Sequence, residues 1–150
     1  MHIAIDTKNL PRIDGAHICI LKSKWHQEYV DNMEKAARPL LEKMGAERID
    51  SEILPGCLEI PLAIRHIEEQ SSVTYDAYIC LGVILKGKTL HFEMITNACG
   101  NGMSELAIRY TKPVINAVIP ALTLNDVKKR TKMDKLNKGI EAAVAAIEMI

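Results

Sequence analysis

The segment Tyr75–Leu85, "YDAYICLGVIL", constrains this chain more than any other. From Ala77 onward it is apolar or glycine throughout, with no polar residue at alternate positions. A strand with one face in water alternates; one without a polar face is covered on both sides, as in a parallel sheet layered between helices. Shorter segments repeat the theme. "HICIL" (His17–Leu21), "RIDSEIL" (Arg48–Leu54) and "PVINAVI" (Pro113–Ile119) read as three further strands.

Helical patterns fill the gaps. "WHQEYVDNMEKAARPLLEKMG" sets Tyr29, Met33, Ala36, Ala37, Leu40, Leu41 and Met44 at helical spacing, with Pro39 expected to kink the helix and Gly45 to end it. "PGCLEIPLAIRHIEEQ" turns at Pro55–Gly56 and enters a helix with Ile64 and Ile67 inward. "TLHFEMITNACGNGMSELAIRY" reads as a long helix, and "LNDVKKRTK" and "NKGIEAAVAAIEMI" as two closing ones. This alternation predicts one α/β domain over residues 1–150, a three-layer sandwich about a mostly parallel four-stranded sheet. Residues 1–16, polar and broken by Pro11 and Gly15, read as an N-terminal arm outside the core.

Composition excludes several functions. Lys plus Arg and Asp plus Glu each number 19, so no net field favours nucleic acid or an anionic membrane. No apolar run approaches the roughly 18 residues of a membrane span, and the start of the chain carries no signal-like stretch. Cys19, Cys57, Cys80 and Cys99 are scattered in apolar runs without a C-x-x-C pair, which predicts buried free thiols and a cytoplasmic protein.

Gly82–Thr89 spells G-x-x-x-x-G-K-T, the phosphate-loop pattern of nucleotide hydrolases. The chemistry does not follow the letters. A wrapping loop needs flexible x positions, and these are Val83, Ile84, Leu85 and Lys86; the first glycine belongs in the strand. "PVINAVIP" also ends without an acidic residue to hold magnesium. A smaller claim survives: Gly87 permits a turn, and Lys88 and Thr89 begin a helix whose free amides suit a phosphate monoester. A simple cap at Thr89 with solvated lysines explains the same letters, and spacing does not choose between the two.

Ligands of such sheets bind beyond the C-terminal strand ends, where "KSKWH", "PGCLE", "KGKTLH" and "PALTLND" are expected to converge. His91, on the first turn of its helix, is placed there, and an imidazole titrating near neutrality suits proton transfer. Packing against its own loop is the plain alternative. His2, His17, His26 and His66 have no metal-ligand spacing with it, so no metal is proposed. Glu59 either presents a carboxylate to ligand hydroxyls or complements a helix dipole. Trp25, the only tryptophan, belongs at the rim, to stack on a planar heterocycle or to pack at a core or subunit contact.

Taken together, "PGCLEIP", "LGVILKGKTLHFE" and "NKGIEAAVAAIEM", in this order and spacing, resemble lumazine synthase, from about His17 to Ile150. The resemblance implies a flavodoxin-like fold and a condensation in riboflavin biosynthesis, without metal or cofactor: 5-amino-6-(D-ribitylamino)uracil and 3,4-dihydroxy-2-butanone 4-phosphate give 6,7-dimethyl-8-ribityllumazine, phosphate and water. By position, His91 matches the proton-transferring histidine and Trp25 the stacking aromatic. Cys57, Leu58 and Glu59 match the segment binding the ribityl chain and pyrimidine, and Val83, Ile84 and Leu85 the strand end whose backbone reads the pyrimidine edge. Lys88 and Thr89 match the phosphate loop, Arg130 the arginine gripping the phosphate, and Lys138 a lysine near it. For Arg130 the plain reading is an ion pair with Asp126, four residues earlier.

Two departures matter. The family usually carries aromatics where this chain has Leu58 and Asn116, so the pyrimidine pocket here is less aromatic. The family's sites lie between neighbouring subunits of a pentamer. Its shell-forming members tend to carry a glycine-rich turn before NKG; "TKMDKLNKG" has no glycine there, which implies free pentamers or pairs of pentamers. Two related readings stand beside this one. An archaeal-type riboflavin synthase would not need Lys88, Thr89 and Arg130; a non-catalytic flavin- or lumazine-binding protein would not need His91.

Overall fold

The computed structural model describes residues 3–150. Its centre is a four-stranded, wholly parallel sheet in the order β2-β1-β3-β4. The strands are β1 (His17–Ser23), β2 (Arg48–Leu54), β3 (Ala77–Leu85) and β4 (Val114–Ala121). The helices are α1 (Gln27–Lys43), α2 (Ile60–Gln70), α3 (His91–Tyr110), α4 (Leu124–Thr131) and α5 (Lys138–Met149). The flavodoxin-like three-layer arrangement follows, with β3 buried on both faces as its composition demands.

The strand period of two divides the core. Ile18 and Ile20 of β1, with Ala77, Ile79, Leu81 and Val83 of β3, pack against α1 and α5. Cys19 and Leu21, with Tyr78, Cys80 and Ile84, pack against α2 and α3. α1 buries Val30, Met33, Ala37 and Leu41, one helical stripe, and runs on through Pro39 without ending there. It closes at Gly45, whose φ of +112° suits a residue lacking Cβ.

The N-terminal arm is shorter than its polarity predicts. Residues 3–9 are exposed, but Ile13 and Ala16 are buried in the α1–α5 layer. The backbone explains this: Ile13 N–H donates to Met44 O and Glu47 N–H to Ala16 O, so the segment is tied to the end of α1 before β1 begins.

"NKG" has a local structural logic. Asn137 is 1% exposed; its Oδ1 accepts from Gly139 N–H at 2.7 Å and caps α5, while its Nδ2 donates to Thr131 O and Lys132 O at the end of α4. Gly139 lies against the carbonyl of Met33, so α5 and α1 meet backbone to backbone.

The chain steps from β1 outward to β2, then back past β1 to β3. That reversal puts a crevice at the C-terminal ends of β1 and β3, where ligands of doubly wound sheets bind.

Candidate active site

A cavity of about 530 Å³ opens at that crevice, within the range of small-molecule sites. Three of the four segments expected at the edge converge on it. β1 and its turn supply Trp25 and His26, the turn after β2 supplies Cys57, Leu58 and Glu59, and β3 with its loop supplies Val83, Ile84, Leu85, Gly87, Thr89 and His91. Phe92 and Ile95 complete the apolar side.

The floor depends on Gly82. A Cβ there would fall 2.4 Å from Cys57 Sγ, 3.2 Å from Ser23 Oγ and 3.5 Å from Val118 Cγ2. The first glycine of the phosphate-loop pattern is therefore a strand residue that makes room for Cys57. Burial pushes the Cys57 thiol above its ordinary value, so it sits in the wall as a neutral thiol. Burial likewise raises Cys99 to about 12, and Cys99 donates to Cys57 O at 3.2 Å, tying α3 to this turn.

The rim is formed by Trp25, 65% exposed, and Leu58, 47% exposed. Trp25 stands beside Gly56, whose missing Cβ would lie 3.7 Å from the indole Cδ1 and 3.0 Å from Glu59 Oε2. An indole face and a carboxylate thus share the β2 side of the cavity. On the β3 side, His91 is the first residue of α3, and its N–H donates to Thr89 Oγ1 at 3.4 Å. Leu90 holds the N-cap position and offers no side-chain cap, which leaves amides of the first turn free for a ligand. Gly87 is not in the left-handed region, and a Cβ there would meet nothing. Its smallness keeps the wall open; the turn does not require it. Lys88 is exposed and lies off the cavity lining.

The fourth segment goes elsewhere. Arg130 and Lys138 line a second cavity, of about 560 Å³, with the end of β4, Asp126 and Glu141. Arg130 Nη2 donates to Glu141 Oε2 at 2.9 Å and Lys138 Nζ to Glu141 Oε1 at 2.7 Å. Burial alone would raise the Glu141 carboxyl, but hydrogen bonds and charge from Lys138 and Arg130 outweigh it and hold it below its usual value. The expected i−4 pair of Arg130 with Asp126 does not form. Asp126 is held instead by Thr123, whose hydroxyl donates to its carboxylate at 2.7 Å and accepts its N–H at 3.2 Å, capping α4. Asn116 is exposed on edge strand β4, its Oδ1 accepting from Val118 N–H, and it too lies off the first cavity. Within one chain, Trp25, Cys57, Leu58, Glu59, Val83, Ile84, Leu85, Thr89 and His91 come together, whereas Asn116, Arg130 and Lys138 stand apart from them.

The residue pattern has a counterpart among known proteins. The sequence profile of the family described as 6,7-dimethyl-8-ribityllumazine synthase matches residues 15–150. The chain belongs to the lumazine synthase family. It is 33% identical over 148 residues to the 6,7-dimethyl-8-ribityllumazine synthase of Acidovorax ebreus (strain TPSY), covering 96% of this chain and 92% of that one. It is 36% identical over 138 residues to the enzyme of that name from Paraburkholderia phymatum, covering 91% and 77%. A third such enzyme, from Neisseria meningitidis serogroup C, is 35% identical over 142 residues, covering 92% and 86%.

Sequence reasoning assigned no role to Ser23, His26, Phe92 and Ile95, which line this cavity. Helical spacing from His91 was the available signal for Ile95, and adjacency to Trp25 for His26. Ser23 lies in the segment "KSKWH" expected at this edge, but nothing in the spacing singled it out.

Proposed function

We propose that this chain catalyses the condensation of 5-amino-6-(D-ribitylamino)uracil with 3,4-dihydroxy-2-butanone 4-phosphate to 6,7-dimethyl-8-ribityllumazine, with release of phosphate and water. The observation that carries the reading is one cavity with an exposed indole and a carboxylate on one side and a histidine at an uncapped helix start on the other. The uracil stacks on Trp25 and is read along one edge by the backbone of Val83, Ile84 and Leu85. Its ribityl hydroxyls donate to Glu59, beside Cys57 and Leu58. The phosphate rests on the α3 amides with Thr89 and Lys88.

The uracil amine adds to the ketone and loses water to form an imine. Phosphate then leaves, and the ring closes with loss of a second water. His91 moves the protons these steps require. Holding two reactants at this geometry supplies a large further part of the rate.

The split between the cavities supports assembly. Arg130 and Lys138, with Asn116, belong to the cavity of a neighbouring subunit, so that each site is completed across an interface of a homopentamer. Exposed apolar residues on α3, Leu90 at its cap and Met94 and Ile108 on the helix, 61–82% exposed, fit such burial. Light scattering is expected to give about five or ten times the 16.7 kDa chain mass. A particle near a megadalton would contradict the smaller assembly. Among the described residues no helix is long and apolar enough to cross a membrane, and cytoplasmic placement is part of the same proposal.

The reaction is tested by mixing the protein with both reactants and following the fluorescent product and released phosphate against a protein-free mixture. Product above that background is expected, and His91→Ala is expected to lower the rate by about 10²-fold or more. An undiminished rate in the variant would transfer the catalysis to positioning alone. No product above background would leave a binding protein, with the non-aromatic Leu58 and Asn116 as the cause. The riboflavin synthase alternative predicts consumption of the lumazine instead.

A further inference from the structure

His26 lines the cavity, and no step of the condensation proposed above uses it. Its backbone is unusual. Among the described residues, two other than glycine adopt the left-handed conformation, Thr111 and His26. Thr111 is the C-cap of α3, an ordinary place for it. His26 (φ 58°, ψ 41°) is the N-cap of α1, where extended backbone and a capping side chain are the rule. α4 and α5 obey that rule: Thr123 and Asn137 are extended, and each side chain accepts an N–H of its helix. The His26 side chain caps nothing.

The conformation therefore costs the chain a cap and holds a residue with a Cβ where such residues are uncommon, although histidine is among those that tolerate it. What it provides is direction. Along extended backbone, successive side chains point to opposite sides. Here the consecutive Trp25 and His26 both line one cavity. Trp25 stands beside Gly56 and Glu59 on the turn after β2, whereas the Thr89 and His91 turn that suits a phosphate follows β3. A neutral imidazole carries one donor and one acceptor, which suits hydroxyls or the N–H and C=O groups of a pyrimidine edge.

We infer that His26 is a further substrate-binding residue of this site, turned into the cavity by its left-handed backbone to hydrogen-bond the ribityl-pyrimidine reactant that stacks on Trp25. The inference rests on the proposed condensation for the identity of that reactant.

The test titrates the purified protein with 6,7-dimethyl-8-ribityllumazine, which carries the same ribityl chain and pyrimidine, and follows quenching of the single tryptophan. Inorganic phosphate is titrated in parallel, with melting temperatures recorded. His26→Gly removes the side chain and accepts the same backbone without strain. It is expected to melt no lower than the parent and to bind the lumazine about tenfold more weakly, with phosphate binding unchanged. His26→Asn, which tolerates left-handed backbone and keeps a donor and an acceptor, is expected to retain most of the lumazine affinity. Unchanged lumazine binding in His26→Gly overturns the inference, as does a loss confined to phosphate. Weak binding that follows a lowered melting temperature in both variants marks His26 as structural and also overturns it. Absence of lumazine binding by the parent protein removes the proposed function, and this inference with it; parent binding with an unaffected His26→Gly removes the inference alone.

Discussion

Gly139→Ala is expected to destabilise the protein by about 3 kcal/mol or more, a fall of roughly 10 °C in melting temperature for a chain of this size. A Cβ at position 139 would lie 1.9 Å from Met33 O and 2.7 Å from Met33 C. Both are backbone atoms in the middle of α1, so no rotamer change relieves the overlap; α5 has to back away from α1. That separation would loosen a layer built from Met33, Ala37, Ala142, Ala143 and Ala146, all 2% exposed or less. The sign is what makes the test sharp, because helix propensity alone favours alanine over glycine by about 1 kcal/mol. Gly100→Ala is the control. It also lies within a helix, α3, and its added Cβ would meet only Asn116 Nδ2, at 3.8 Å. There the propensity gain is expected to appear, as a small rise in melting temperature. Thermal melts of both variants check the pair. A Gly139→Ala protein as stable as its parent would contradict the close approach of α1 and α5.

Arg130→Ala is expected to lower kcat/KM for the butanone phosphate by about 10²-fold, with little change in the KM of the uracil reactant. The guanidinium is only 17% exposed in its side chain and is already oriented by Glu141, so it meets a phosphate with little ordering left to do. In the proposed site, removing it takes away parallel, charge-assisted hydrogen bonds to one reactant alone. Arg130→Lys is expected to recover only part of the loss, since an ammonium keeps the charge but not the paired donors. Stability is expected to change little, because Glu141 keeps Lys138 and remains partly in water. Steady-state kinetics with each reactant varied in turn separates these outcomes. Equal effects on both reactants would move Arg130 out of the phosphate site and into general support of the assembly.

Much of this protein was legible in one dimension because the physics involved is local. Unbroken apolar composition in Ala77–Leu85 requires cover on both faces wherever the strand sits, and the helical stripe Met33, Ala37, Leu41 requires one buried side. β2 follows "RIDSEIL" residue for residue. The match of Gly82–Thr89 to a phosphate loop was also dismissed on local grounds, since β-branched residues hold a strand, and Gly82 is indeed within β3.

What sequence left open concerns contacts between segments far apart in the chain. Ile13 and Ala16 sit among polar neighbours, and only hydrogen bonds to Met44 and Glu47, some 31 residues on, bring them into the core. Arg130 has Asp126 one helical turn away, yet it pairs with Glu141 on another helix, because Thr123 has already engaged Asp126. In "NKG" the asparagine and glycine are structural and the lysine alone faces a cavity, a division visible only once α1 lies against α5. The sequence by itself determined the layers and the edge of the sheet at which chemistry belongs, because periodicity and composition are properties of each segment. The tertiary structure decided that His91 and Arg130 occupy different cavities of one chain, and that Trp25 and His26 share one wall. Those are consequences of strand order and of a single left-handed residue, and neither is written in spacing.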